Sequence, residues 1–114
     1  MTIYQYHLAL TEIENYTELD AFVSDLALSS AFPEESDFTE TVSALSMIWE
    51  AYHMTIRDLR TAAGLSRMDF SRRFRIPIRT IENWECTGPN ARECPVYVRL
   101  LIADAIGLMP EVTP

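Results

Sequence analysis

Apolar residues recur at three- and four-residue steps through most of this chain, the spacing that places them on one face of an α-helix. The spacing is clear over residues 19–27, which follow a capping-box pattern at residues 17–20 with Thr17 at the N-cap position. The sequence therefore predicts a helix that ends near Ser29. Residues 3–10 mix the helical spacing with a period of two, so a short helix and a short strand both stay open there.

A second apolar stripe covers residues 39–63 without a proline or glycine. It predicts either one long helix or two helices joined near residues 53–55. An acidic loop over residues 33–37 precedes the stripe, and Asp37 with Glu40 is suited to cap the helix that follows. The stripe ends at a glycine, Gly64, the residue type that most often follows a helix C-terminus.

Two short helices are predicted directly after this stop. Ser66 begins another capping box and opens a helix that ends near Phe74. A turn at residues 75–77 follows, and Pro77 stands near the first position of a helix that ends at about Glu85. Two helices joined this tightly are typical of a helix-turn-helix, whose second helix can enter the major groove of DNA.

A last helix is predicted from Pro95 to Ile106, after a loop over residues 86–93. Its residues are apolar nearly all round, which is typical of a helix buried in the core or against a second copy of the chain. Three glycines in 114 residues also favour helices joined by short loops. The sequence thus predicts an all-α helical bundle in three parts: an acidic helical N-terminal extension over residues 1–44, a helix-turn-helix domain over 45–108 and a tail over 109–114.

Charge divides the chain in two. Residues 1–56 hold ten carboxylates and no Lys or Arg, whereas residues 57–99 hold all nine arginines against five carboxylates. The chain as a whole carries a net charge of −8, which opposes DNA binding at long range, although salt screens such repulsion beyond about 8 Å. The local excess of arginine can still bind phosphates at contact. A regulator of this composition is expected to bind non-specific DNA weakly and to depend on base contacts and dimerisation.

The run over residues 56–85 resembles the XRE family, the lambda-repressor and Cro type of helix-turn-helix protein. The resemblance rests on the apolar positions, on Ala-Gly-Leu-Ser at residues 63–66 and on Thr-Ile-x-x-Trp-Glu at residues 80–85, and it continues to about Leu108. It implies a dimeric transcriptional repressor that binds double-stranded DNA and reads the major groove with residues 77–85. The positions that match the family's core are Leu59, Ala63, Leu65, Phe70, Phe74, Ile76, Ile81 and Trp84.

The same resemblance implies which side chains contact DNA. Arg79 would form two hydrogen bonds with a guanine, Asn83 would form hydrogen bonds with an adenine, and Ile78 would contact a thymine methyl group. The arginines of the first helix and the turn would contact phosphates, unless they are solvated or pair with the acidic half. Family members often have glycine where this chain has Arg75, and a positive φ there would cost about 1 kcal/mol. The implied DNA-binding residues are Arg67, Arg72, Arg73, Arg75, Ile78, Arg79, Thr80, Glu82 and Asn83.

The acidic N-terminal half supports a second hypothesis. Ten carboxylates without a counter-charge suit a surface that imitates phosphate or contacts a basic protein partner, as in an antitoxin or an anti-restriction or anti-CRISPR inhibitor. The simpler explanation is that a solvated acidic face aids solubility. The two functions are compatible within one chain.

The sequence gives no sign of a metal site, a cofactor or an enzyme active site. Cys86 and Cys94 stand eight residues apart, and neither His7 nor His53 completes a zinc ligand set. There is no Gly-rich phosphate loop and no His–carboxylate pair at useful spacing. Neither a membrane-spanning apolar run nor a secretory signal is present, which predicts a cytoplasmic protein with free thiols, although the cysteine spacing also permits a disulfide.

Overall fold

The protein is described by a computed structural model over residues 1–33 and 37–114. Within these ranges the chain forms seven α-helices, a short 3-10 helix at Ile13–Asn15 and no strand, so the all-α prediction is confirmed. Residues 34–36 of the predicted acidic loop lie outside the described residues. The helices are α1 (Ile3–Glu12), α2 (Leu19–Ala27), α3 (Phe38–Tyr52), α4 (Ile56–Ala62), α5 (Arg67–Phe74), α6 (Ile78–Glu85) and α7 (Val96–Ala105).

The chain divides into two compact units. The first contains Met1–Ala51 together with Gly107–Pro114, and the second contains Tyr52–Ile106. The predicted boundary between residues 44 and 45 lies inside α3, because the apolar stripe of that helix continues to Ala51 without a break. The C-terminal residues belong to the first unit, where the Thr113 N–H donates to the Met1 carbonyl oxygen at 2.9 Å.

Aromatic rings organise the core of the first unit. Phe22 is fully buried, and its ring centroid lies 5.7 Å from that of Tyr16 and 5.3 Å from that of Trp49. The predicted capping box at residues 17–20 is wrong, because α2 has Glu18 as its N-cap, and that side chain makes no capping bond. Helix α2 thus begins one residue later than predicted, and Tyr16 before it packs on Phe22 and donates to Asp25 at 2.9 Å.

Side-chain caps define the starts of two helices in the first unit. Residues 3–10, left open by the sequence, are helical, because Thr2 and Gln5 form a reciprocal capping box at the start of α1. The predicted cap of α3 by Asp37 is confirmed: its Oδ1 accepts from the Thr39 N–H at 2.9 Å and from the Glu40 N–H at 3.2 Å.

The stripe over residues 39–63 forms two helices rather than one. Arg99 Nη1 donates to the carbonyl oxygens of Tyr52 and Met54, both at 2.8 Å, and so binds carbonyl groups that a continuous helix would use internally. Thr55 then caps α4 in a reciprocal capping box with Asp58. The predicted stop at Gly64 is confirmed, with φ at 69° in the left-handed region.

In the second unit, α6 packs against α4 and α5, and α7 packs against α4. Leu59 on α4, Phe70 on α5 and Ile81 on α6 are fully buried, as predicted for core positions. The other predicted core residues, Ala63, Leu65, Phe74, Ile76 and Trp84, are only partly buried. Helix α7 buries one face alone: Ile102 and Ala103 are enclosed, whereas Tyr97 and Leu101 are 69% and 68% exposed.

Arg75, which ends α5, adopts the left-handed conformation with φ at 57° and ψ at 39°. The cost of a side chain at positive φ therefore applies here, and we expect Arg75→Gly to raise the free energy of unfolding by about 0.5–1 kcal/mol. Urea denaturation followed by circular dichroism measures the change. Arg75→Ala is the matched control, since it removes the same charge but keeps Cβ. An equal gain in both variants would assign the effect to charge instead.

Candidate nucleic-acid interface

The nine side chains with predicted DNA contacts all lie on α5, on α6 or in the turn between them. Only the Ser66 half of the predicted capping box forms: its hydroxyl accepts from the Asp69 N–H at 3.1 Å, whereas the Asp69 carboxylate pairs with Arg72. At the start of α6, the Pro77 carbonyl accepts from the Thr80 N–H at 2.9 Å. The three that are partly buried are Ile78, Thr80 and Asn83, and the six that are exposed are Arg67, Arg72, Arg73, Arg75, Arg79 and Glu82.

Helix α6 has a buried face and an open face. Ile81 and Glu85 are four residues apart and both buried, so they mark the face that packs into the second unit. Arg79 and Asn83 are also four residues apart and stand on the opposite face by helical spacing. The Asn83 carbonyl accepts from the Arg92 N–H at 3.0 Å, which ties the loop after α6 to its last turn. The structure thus brings Arg79 and Asn83 together on one surface.

Glu85 is the centre of an arginine cluster that the sequence analysis did not identify. Its side chain is 0% exposed, and its two oxygens accept from Arg60 Nε and Nη2, both at 2.8 Å. Arg57 Nε and Arg67 Nε lie 3.2 and 3.3 Å from Glu85 Oε1. We call these four residues, Arg57, Arg60, Arg67 and Glu85, the Glu85 cluster. It connects α4, the start of α5 and the end of α6.

Hydrogen bonds in the cluster shift the pKa values of its central pair. The hydrogen bonds from Arg60 lower the pKa of Glu85 the most, and burial opposes them by raising it. The hydrogen bond from Arg57 adds a smaller lowering, so the pKa of Glu85 lies below its ordinary value. The hydrogen bond to Glu85 likewise raises the pKa of Arg60. Three guanidinium groups surround one carboxylate, so the cluster keeps an excess of positive charge. Arg57 and Arg67 remain 56% and 47% exposed and line an open cleft of about 500 Å³.

The other predicted arginine contacts are less constrained. Arg72 Nη1 lies 3.4 Å from Asp69 Oδ1 in an exposed ion pair, and the guanidinium of Arg73 lies 5.2 Å from the ring centroid of Phe74. Among the described residues, Arg75 and Arg79 have no carboxylate within ion-pair distance. The second unit carries nine arginines and six carboxylates in all, so it has a net charge of +3. Its open arginines can therefore contact an anionic ligand.

The second unit contains both cysteines of the chain. Cys86 is exposed and Cys94 is buried, and both are free thiols; burial raises the pKa of Cys94 to about 11. No group of three or more His, Cys, Asp or Glu side chains within the described ranges is placed to hold a metal ion.

Trp84, predicted as core, lines a cleft of about 450 Å³ with residues that include Tyr52 and Arg99.

Comparisons of the chain with protein-family models, with curated proteins and with solved structures found no match. None of the helices in the described part of the chain is long and apolar enough to cross a membrane.

Proposed function

We propose that this protein is a sequence-specific DNA-binding transcriptional regulator of the XRE type. The observation that carries the proposal is the open face of α6, where Arg79 and Asn83 stand side by side in a helix that follows α5 after a three-residue turn. Arg79 has no ion-pair partner among the described residues, and Asn83, only partly buried, can offer its side-chain amide to a ligand. Base edges in the major groove match both side chains.

Each predicted residue has a distinct role in this complex. Arg79 donates both arms of its guanidinium to a guanine, Asn83 forms paired hydrogen bonds with an adenine, and Ile78 contacts a thymine methyl group. Glu82 accepts a hydrogen bond from the amino group of a cytosine. Arg72, Arg73 and Arg75 bind phosphates, as do the Thr80 hydroxyl and the exposed part of Arg67.

A second copy of the chain supplies the other half-site. Tyr97 and Leu101 are four residues apart on α7, and both are more than two-thirds exposed. Val96, 36% exposed, lies at the start of the same helix. Covering these apolar side chains with the same helix of a second chain removes them from water, which drives dimerisation. Two copies of α6 then read two half-sites of an inverted repeat.

The acidic first unit limits where the regulator binds. It carries eleven carboxylates and no Lys or Arg, so the whole chain is repelled by DNA that offers no base contacts. Non-specific binding depends on neutralised phosphates and released counterions, and the chain's seventeen carboxylates outnumber its nine arginines. The expected behaviour is weak binding to random DNA and clear binding to one operator.

The test is an unbiased selection of genomic DNA fragments by the purified, full-length protein at about physiological salt. We expect one short inverted-repeat motif to be enriched, because the dimer presents two copies of α6. The double variant Arg79→Ala/Asn83→Ala serves as control and should not enrich it. If the wild-type protein is helical by circular dichroism and yet enriches no motif, the proposal is wrong.

A further inference from the structure

An open cleft in the first unit has exposed apolar walls. It lies between the end of α2 and the start of α3, has a volume of about 540 Å³ and is lined by residues that include Ala27, Leu28, Phe32 and Phe38. Ala27 and Phe32 are buried and form its floor, whereas Leu28 and Phe38 are 77% and 57% exposed. We call it the Leu28–Phe38 cleft. Two large apolar side chains left this open across one cleft favour a binding site for another apolar group.

A smaller acidic cleft adjoins the first. It has a volume of about 250 Å³, shares Phe32 and Thr41 with the Leu28–Phe38 cleft, and is also lined by Asp37 and Glu40. Both carboxylates are exposed, and no described residue bonds to the second oxygen of Asp37, whose Oδ1 caps α3. An apolar site therefore stands directly beside two carboxylates.

The charge of the unit decides which kind of partner fits. Its eleven carboxylates face no Lys or Arg of the same unit, so nucleic acid and other polyanions are repelled. A second copy bound through the same face would bring two sets of carboxylates together, which is also unfavourable. The complementary partner has both positive charge and apolar side chains. An amphipathic helix with one basic and one apolar face presents both kinds of side chain on a single element, as these two neighbouring clefts require.

We propose that the Leu28–Phe38 cleft docks a cationic amphipathic helix of a partner protein. One large apolar side chain of that helix lies between Leu28 and Phe38. A Lys or Arg about one helical turn away binds the carboxylates of Asp37 and Glu40. The residues of this site belong to the first unit, and none of them is among the proposed DNA contacts.

The test is selection of peptides from a randomised display library by the full-length protein, followed by fluorescence anisotropy with the enriched peptides. We expect enrichment of sequences with basic residues three or four positions from Leu, Ile, Met or Phe. The double variant Leu28→Ser/Phe38→Ser should weaken binding about tenfold or more, because the apolar contact is lost. Its matched control is Ile3→Ser/Tyr4→Ser, which removes two large side chains of α1 that are 57% and 65% exposed, and it should leave affinity unchanged.

The electrostatic half of the proposal is tested separately with Glu40→Gln, against Glu50→Gln on the same helix as control. Glu40→Gln should weaken peptide binding about two- to fivefold and reduce its salt dependence. Absence of any enriched family, enrichment of acidic or uncharged peptides, or equal binding to Leu28→Ser/Phe38→Ser each contradicts the proposal. If that double variant instead abolishes self-association measured by sedimentation, the occupant is a second copy and the proposal is wrong.

Discussion

Replacing Glu85 by alanine should lower the free energy of unfolding by about 3 kcal/mol, the lower end of the range for removing one partner of a buried ion pair. The Glu85 side chain is 0% exposed and Arg60 only 18%, so the variant leaves the Arg60 guanidinium enclosed without its carboxylate. Arg57 and Arg67 are about half exposed and can be solvated again, which limits the loss. Urea denaturation at neutral pH, followed by helical circular dichroism, measures the difference.

The matched control is Arg72→Ala, which removes one partner of the exposed pair between Arg72 and Asp69. Exposed ion pairs contribute only about 0–1 kcal/mol, so this variant should stay close to the wild type. Glu85→Gln keeps the shape of the side chain but loses its charge. Its free energy of unfolding should lie between those of Glu85→Ala and Arg72→Ala. If Glu85→Ala and Arg72→Ala cost the same, the Glu85 cluster does not stabilise the second unit.

The contribution of Glu85 should also depend on pH. Because hydrogen bonds from Arg60, and then from Arg57, lower its pKa in the folded protein, the unfolded chain takes up the proton at higher pH than the folded chain does. The stabilisation is therefore fully present above the unfolded pKa of about 4.3 and is lost as the pH falls through the lower folded value. We expect the stability difference between wild type and Glu85→Ala to narrow in acid. A difference that stays constant from neutral pH into strong acid would contradict this account.

If the protein reads DNA as proposed, Arg79→Ala should weaken binding to the selected operator by about 1–3 kcal/mol, roughly 5- to 150-fold. The variant should also lose its preference at one base pair of each half-site, because a bidentate contact to guanine discriminates against the other bases. Fluorescence anisotropy with the operator and with each of its single-base variants, at one salt concentration, measures both effects.

Two further arginine variants separate base contacts from phosphate contacts. Arg72→Ala should weaken all DNA sequences about equally and reduce the slope of log affinity against log salt by about 1 for each chain. Arg92→Ala is the control, since Arg92 lies in the loop after α6 and donates to the carbonyl oxygens of Pro89 and Ala91. The assignment of α6 to the groove fails if Arg79→Ala and Arg92→Ala change operator binding equally.

Much of the helical framework could be predicted because its signals are local. Gly64 stops α4, Ser66 caps α5, and prolines 77 and 95 stand at the N-caps of α6 and α7. Each of these effects acts within one helical turn, so the order of residues is enough to reveal it. The open face of α6 is equally local, because a four-residue spacing places Arg79 beside Asn83 wherever the helix packs.

Local reasoning was wrong or left alternatives open at three places in the chain. At residues 17–20 the capping pattern was plausible, but Glu18 is the N-cap and its side chain makes no capping bond. The break between α3 and α4 depends on Arg99, which lies 45 residues from Met54 along the chain. The resemblance left open whether Arg75 carries a positive φ, and the turn of the folded chain shows that it does.

By itself, then, the sequence determined an all-α chain, most helix boundaries, the separation of acidic and arginine-bearing segments and the side chains that α6 offers to a ligand. Tertiary packing decided which arginines form ion pairs with Glu85 and which remain exposed without a carboxylate partner among the residues that the structure describes. Glu85 forms hydrogen bonds with Arg60, which lies 25 residues away along the chain, and with Arg67, which lies 18 residues away. No pattern in the sequence links these residues. Ion pairs and exposed apolar faces such as that of Leu28 and Phe38 depend on which helices meet, and that is settled only when the core closes.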